Sequence, residues 1–146
     1  MKPKSWFSKI LFRAKSWRAT RLWQKVKTRI SKLNLAELGH IALNNNLSII
    51  ASPNEIQRLQ NWTFVNGTTD YQDLITIAKV SYYPKKIETN LKSFSRQQLQ
   101  AFEKNYIDEQ LFSQNEKVFL LLHTNIYNKL KIEAQNLLTE KYPLSS

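Results

Sequence analysis

Apolar residues recur three and four positions apart along most of this chain, which is the spacing of helices with one buried face. Near the N-terminus Trp6, Phe7, Ile10, Leu11, Ala14 and Trp17 make one such stripe. Leu22, Trp23, Val26, Ile30 and Leu33 make a second, displaced around the axis. Residues 5–33 hold no Gly and no Pro and many strong helix formers, so the spacing predicts a helix over 5–33. Leu11, Leu22 and Leu33 recur every eleven residues, close to three turns, and could keep one line of contact along that length. The stripe changes face around Arg18 to Arg21, where a bend or two shorter helices fit equally well.

Start and stop signals divide the rest. Asn34 with Glu37 is a capping-box pair, in which the side chain at the cap accepts from a first-turn amide and the acid bonds back. It predicts a helix over 35–43 that ends in Asn44-Asn45-Asn46, whose side chains compete for backbone bonds. Ser52-Pro53-Asn54-Glu55 opens the next, with Pro at the first helical position. That helix should reach about Phe64 and stop before Asn66-Gly67. Leu74, Ile75, Ile77, Val80, Tyr82 and Tyr83 are strand-like in type. Thr69 and Asp73 nevertheless suggest a capped helix, and residues 70–83 are read as one. Pro84-Lys85-Lys86 reads as a break. Ser95 with Gln98 opens a helix through Leu99, Phe102 and Tyr106. Ser113 with Glu116 opens the longest, through Phe119, Leu122, Ile126, Leu130 and Leu137 to about Lys141.

The expected fold is therefore all-α: a small irregular bundle of four to five helices over residues 34–146, preceded by a basic amphipathic helix over 1–33. Two glycines and four prolines in 146 residues leave too few turn residues for a sandwich or barrel.

Charge sharpens the division. Lys2, Lys4, Lys9, Arg13, Lys15, Arg18, Arg21, Lys25, Lys27, Arg29 and Lys32 precede the first acid, Glu37. The remaining 11 of the 22 Lys and Arg balance all 11 Asp and Glu, so the whole net charge of +11 sits in the first 32 residues. Eleven like charges repel unless something neutralises them, which implies an anionic partner.

Several function classes fall away. The chain contains no Cys, so no disulfide framework, thiolate metal site or cysteine nucleophile is available. His40 and His123, the only histidines, have no partner at metal-ligand spacing, and no metal or cofactor is expected. His123, after Leu120-Leu121-Leu122, reads better as a hydrogen-bonded core or boundary histidine, and His40 as a general base would need a nucleophile or acid that the sequence does not name. Gly39 and Gly67 cannot build a phosphate-cradling loop. Leu35 to Ile41, followed by a helix from Pro53, reads as two ordinary packed helices rather than a helix–turn–helix. Gly39 comes three residues after Ala36 rather than four, and the gap to Pro53 exceeds the usual turn. Glu103, Asp108 and Glu109 could supply a carboxylate pair but read as a solvated face. A non-enzymatic role is expected.

The longest unbroken apolar run, Val118 to Leu122, is far short of the roughly 18–20 residues of a membrane span. Lys9, Arg13, Lys15 and Arg18 interrupt any signal-peptide core. A mitochondrial presequence shares the basic, acid-free character but is less typically lysine- and tryptophan-rich. The expected location is the cytoplasm, with or without membrane association.

Two partners compete for the basic arm. At a bilayer, Trp6, Phe7, Phe12, Trp17 and Trp23 would settle at headgroup level, while Lys4, Lys9, Arg13, Lys15, Arg18, Arg21, Lys25, Lys27, Arg29 and Lys32 reach phosphates. On nucleic acid the same cations would neutralise phosphates and the rings would stack on bases. An acidic protein, or simple packing of the stripe on the body, is the plainer alternative. The indoles favour the peripheral-membrane reading, with anionic lipid as partner and nucleic acid second.

Overall fold

A computed structural model describes residues 21–61 and 67–143. All regular structure among them is helical: α1 over 21–31, α2 (Leu35–Asn44), α3 (Pro53–Asn61), α4 (Asp70–Leu91), α5 (Arg96–Glu103), α6 (Gln114–Leu122) and α7 (Thr124–Lys141). The all-α expectation holds, but the count does not. Among the described residues six helices rather than four to five follow residue 34, and α1 makes seven.

The caps form as their residue pairs demand. The Glu37 amide donates to Asn34 Oδ1 at 2.8 Å, and the Asn34 amide donates to Glu37 Oε1 at 3.1 Å. Ser52 with Glu55, Ser95 with Gln98 and Ser113 with Glu116 form the same reciprocal pair. A fifth joins Thr69 to Gln72 at the start of α4. Asn45, φ 52°, closes α2 in the left-handed region that a short amide side chain tolerates.

Three expectations fail. The helix expected through Tyr106 ends at Glu103, and Asn105, at φ 70°, lies in the left-handed region just beyond it. The chain does not break at Pro84, which lies inside α4. Proline there withholds an amide from the Val80 carbonyl and costs about 3 kcal/mol. Beyond it Ile87 and Leu91 are fully buried one helical turn apart. Burying each such side chain contributes about 1.5–3 kcal/mol, which offsets the loss. Conversely, the long helix expected over 113–141 is two. His123, at φ −120° and ψ 68°, ends α6 and precedes α7. Its amide still donates to Phe119 O, and its carbonyl accepts from the Tyr127 amide, so the break leaves neither group orphaned.

The helices group into two compact units, Met1–Val80 and Ser81–Ser146, with the division inside α4. In the first, Leu22, Val26 and Ile30 of α1 are buried, as are Leu38, Ile41 and Ala42 of α2, Leu47, Leu59, and Leu74, Ile75 and Ala78 of α4. In the second the core is aromatic. Phe94 meets Phe112 edge-on at 5.6 Å, Phe112 stacks on Phe102 at 5.5 Å, and Phe102 meets Tyr127 at 5.2 Å. Each such pair is worth about 0.5–1.5 kcal/mol beyond its buried area.

Candidate functional site

Of the residues expected to meet an anionic surface, Lys4, Lys9, Arg13, Lys15 and Arg18 lie outside the described residues. So do Trp6, Phe7, Phe12 and Trp17. Arg21, Trp23, Lys25, Lys27, Arg29 and Lys32 are described, on or just beyond α1, and the fold sorts them into different roles.

The sorting follows from how α1 is held. Leu22, Val26 and Ile30 recur at i, i+4 and i+8 and are 7%, 0% and 2% exposed, which fixes the face of α1 turned to the core. Two side chains flanking that face are tied down. Trp23 Nε1 donates to Asp73 Oδ2 at 2.7 Å. Arg29 Nη1 donates to Glu55 Oε1 at 3.0 Å and to the Ile50 carbonyl at 2.8 Å, while Nη2 donates to Glu55 Oε2 at 3.2 Å. This two-pronged contact is the geometry a guanidinium makes with a carboxylate when strongly held. Glu55 also caps α3, so one carboxylate joins α1 to the start of α3. The Arg29 bonds chiefly, and the Ser52 amide after them, hold the Glu55 carboxyl down at about 2.

Arg29 is therefore engaged within the first unit, and Trp23 is half-buried with its only polar atom occupied. Lys27 remains exposed, its Nζ 4.8 Å from the centre of the Trp23 ring. Arg21, Lys25 and Lys32 are exposed.

Beside the Trp23 contact, Asp70 opens α4 and is only 3% exposed. Burial, and then the charge of Asp73, push its carboxyl up to about 6. Nothing in the sequence flagged Asp70 beyond its place in a first helical turn.

The other candidates are dispersed. His40 is exposed on α2, where its carbonyl accepts from Asn44 Nδ2. The His123 ring lies against Phe119, centroids 4.4 Å apart. Glu103 accepts from Gln135 Nε2, Glu109 pairs with Lys117 at 3.1 Å, and Asp108 Oδ1 accepts from the Gln110 amide. The three acids thus have three separate partners. Among the described residues no group of three or more His, Asp or Glu could hold a metal ion. No helix among them is long and apolar enough to cross a membrane. No family model, curated protein or solved structure matches this chain.

Proposed function

We propose that this protein is a non-enzymatic peripheral protein that docks on an anionic membrane through its basic N-terminal segment. One observation carries the reading: eleven cations and no acid in the first 32 residues, with aromatic residues between them. Each cation near an anionic bilayer adds about 1 kcal/mol, so a few engaged residues suffice for reversible recruitment. Trp6, Phe7, Phe12 and Trp17 would add an apolar contribution that salt does not screen. The charge-neutral remainder would present whatever is carried to the surface.

The bond from Trp23 to Asp73 favours a second reading. With that indole engaged inside the first unit, the exposed side chains of α1 are cationic and polar rather than aromatic. Such a face suits phosphate contacts on nucleic acid, which need charge alone. Co-sedimentation of the full chain with vesicles of neutral and anionic phospholipid, competed by duplex nucleic acid at matched salt, separates the two. Vesicle binding that survives competition and persists in part at high salt supports the membrane. Complete transfer to the duplex removes it.

A further inference from the structure

We infer that the outward face of α6, made by Val118, Leu121 and Leu122, is a second membrane contact that enters the headgroup region of an anionic bilayer. The inference rests on the proposed membrane reading and adds a site outside the basic segment.

The rotation of α6 about its own axis is fixed from within the second unit. Glu116, Phe119 and Leu120 recur at i, i+3 and i+4 and are buried. The Phe119 ring meets that of Tyr83 at 5.0 Å, and Glu116 Oε1 accepts from the Ser113 amide at the cap. At about 100° per residue, Val118, Leu121 and Leu122 fall on the opposite side of the helix. They are 42%, 58% and 74% exposed. The helix is thus apolar on both faces, the pattern of one covered all round, yet one face meets solvent. Leu43, Ile49, Tyr106 and Ile132 are comparably exposed. Each of these stands alone on its helix or loop, which is ordinary for a protein surface. On α6 three share a face.

Two observations choose a bilayer as the occupant. The first is charge. From Lys117 to Ile132 the sequence holds three lysines and no acid. Lys117, on the flank beside Leu121, is matched by Glu109 at 3.1 Å. The exposed residues that follow the leucines, Thr124, Asn125, Asn128 and Lys129, are neutral or cationic. These residues set no unmatched acid against an anionic headgroup, and Lys129 attracts one. The second observation is size. Three partly exposed aliphatic side chains fall far short of the roughly 800 Å² per partner that a stable protein interface buries. A bilayer needs no such area from one patch, because inserted apolar side chains and near-surface cations add their contributions.

The test uses the full chain and vesicles of three parts neutral to one part anionic phospholipid, with circular dichroism confirming each variant's fold. The sequence has no cysteine, so Leu122→Cys carries a polarity-sensitive fluorophore at one position. Its emission should shift to the blue on vesicles and keep part of that shift at about 1 M salt, where charge attraction is largely screened. Leu121→Gln combined with Leu122→Gln should weaken vesicle binding about ten-fold or more, because apolar area leaving water drives this contact. Ile132→Gln, comparably exposed but on α7, should change it less than about two-fold. Equal losses for Ile132→Gln and the leucine pair, or a label that stays in water while the chain binds, would overturn the α6 contact and leave the membrane reading standing. A blue shift without vesicles that grows with protein concentration would assign the face to a second copy and overturn the inference. Failure of the unaltered chain to bind the vesicles would overturn both.

Discussion

The indole of Trp23 and the carboxylate of Asp73, fifty residues apart in sequence, share a 2.7 Å hydrogen bond that ties α1 to α4. An indole has one donor, and a carboxylate acceptor makes this bond stronger than a neutral one. Trp23→Phe keeps much of the apolar contact and removes the bond. We expect a loss of about 1–3 kcal/mol in urea unfolding, with vesicle binding unchanged. A Trp23→Phe protein as stable as the parent, or one that lost vesicle binding while staying folded, would return Trp23 to the interfacial role its sequence context suggested.

Arg29 and Glu55 give the molecule an acid-sensitive joint. The Glu55 carboxyl is held at about 2 against an ordinary 4.5, so its contribution is present in full above about pH 4.5. It is lost as pH falls toward 2, because the folded state must then give up a favoured carboxylate. Solvent reaches both partners, which limits the effect to about 1–2 kcal/mol. In Arg29→Gln the parent should lose its advantage between pH 4.5 and 2 in thermal melts, so that the two proteins converge in acid.

Asp70 works in the opposite sense. Its folded pKa is raised from 3.8 to about 6, so the folded state binds this proton more tightly than the unfolded chain does. Stability therefore rises as pH falls through 6 and the gain is complete near pH 4. The full span is up to about 3 kcal/mol for a shift of this size. Asp70→Asn should raise stability at pH 7 by about 1–3 kcal/mol and abolish the gain between pH 7 and 4.5. A variant no more stable at pH 7, with the parent's pH profile intact, would show that Asp70 titrates normally.

These residues also show which features were legible in the sequence. The pairs Asn34 with Glu37, Ser52 with Glu55, Ser95 with Gln98 and Ser113 with Glu116 are local, so residue type and spacing sufficed to place four helix starts. The passage of α4 through Pro84 depended on burial of Ile87 and Leu91, which no local signal weighs against the ring's penalty. At His123 the apolar phase runs unbroken from Phe119 and Leu120 to Tyr127, Leu130 and Ala134, so the pattern reads as one helix where the backbone turns. The basic run itself was plain. The separation of Arg29 and Trp23 from Lys25 and Lys32 was not, because their partners Glu55 and Asp73 lie 26 and 50 residues away.

Removal of the basic segment in two steps should separate its charge from its structural role. Residues 1–20 carry six of the eleven cations, and 21–32 carry the remaining five together with Leu22, Val26 and Ile30. Those three side chains are buried, and each contributes about 1.5–3 kcal/mol. Their sum is comparable to the whole stability of a small domain, about 5–15 kcal/mol. Deletion of 1–20 should therefore leave helical circular dichroism and a cooperative melt, with weakened binding to anionic vesicles. Deletion of 1–32 also removes the Trp23 and Arg29 bonds and leaves Asp73 and Glu55 without these partners. We expect it to expose the inner faces of α2 and α4, lower the melting temperature by at least 15 °C and promote aggregation. A 1–32 deletion that melts like the parent would mean that α1 rests on the first unit without stabilising it.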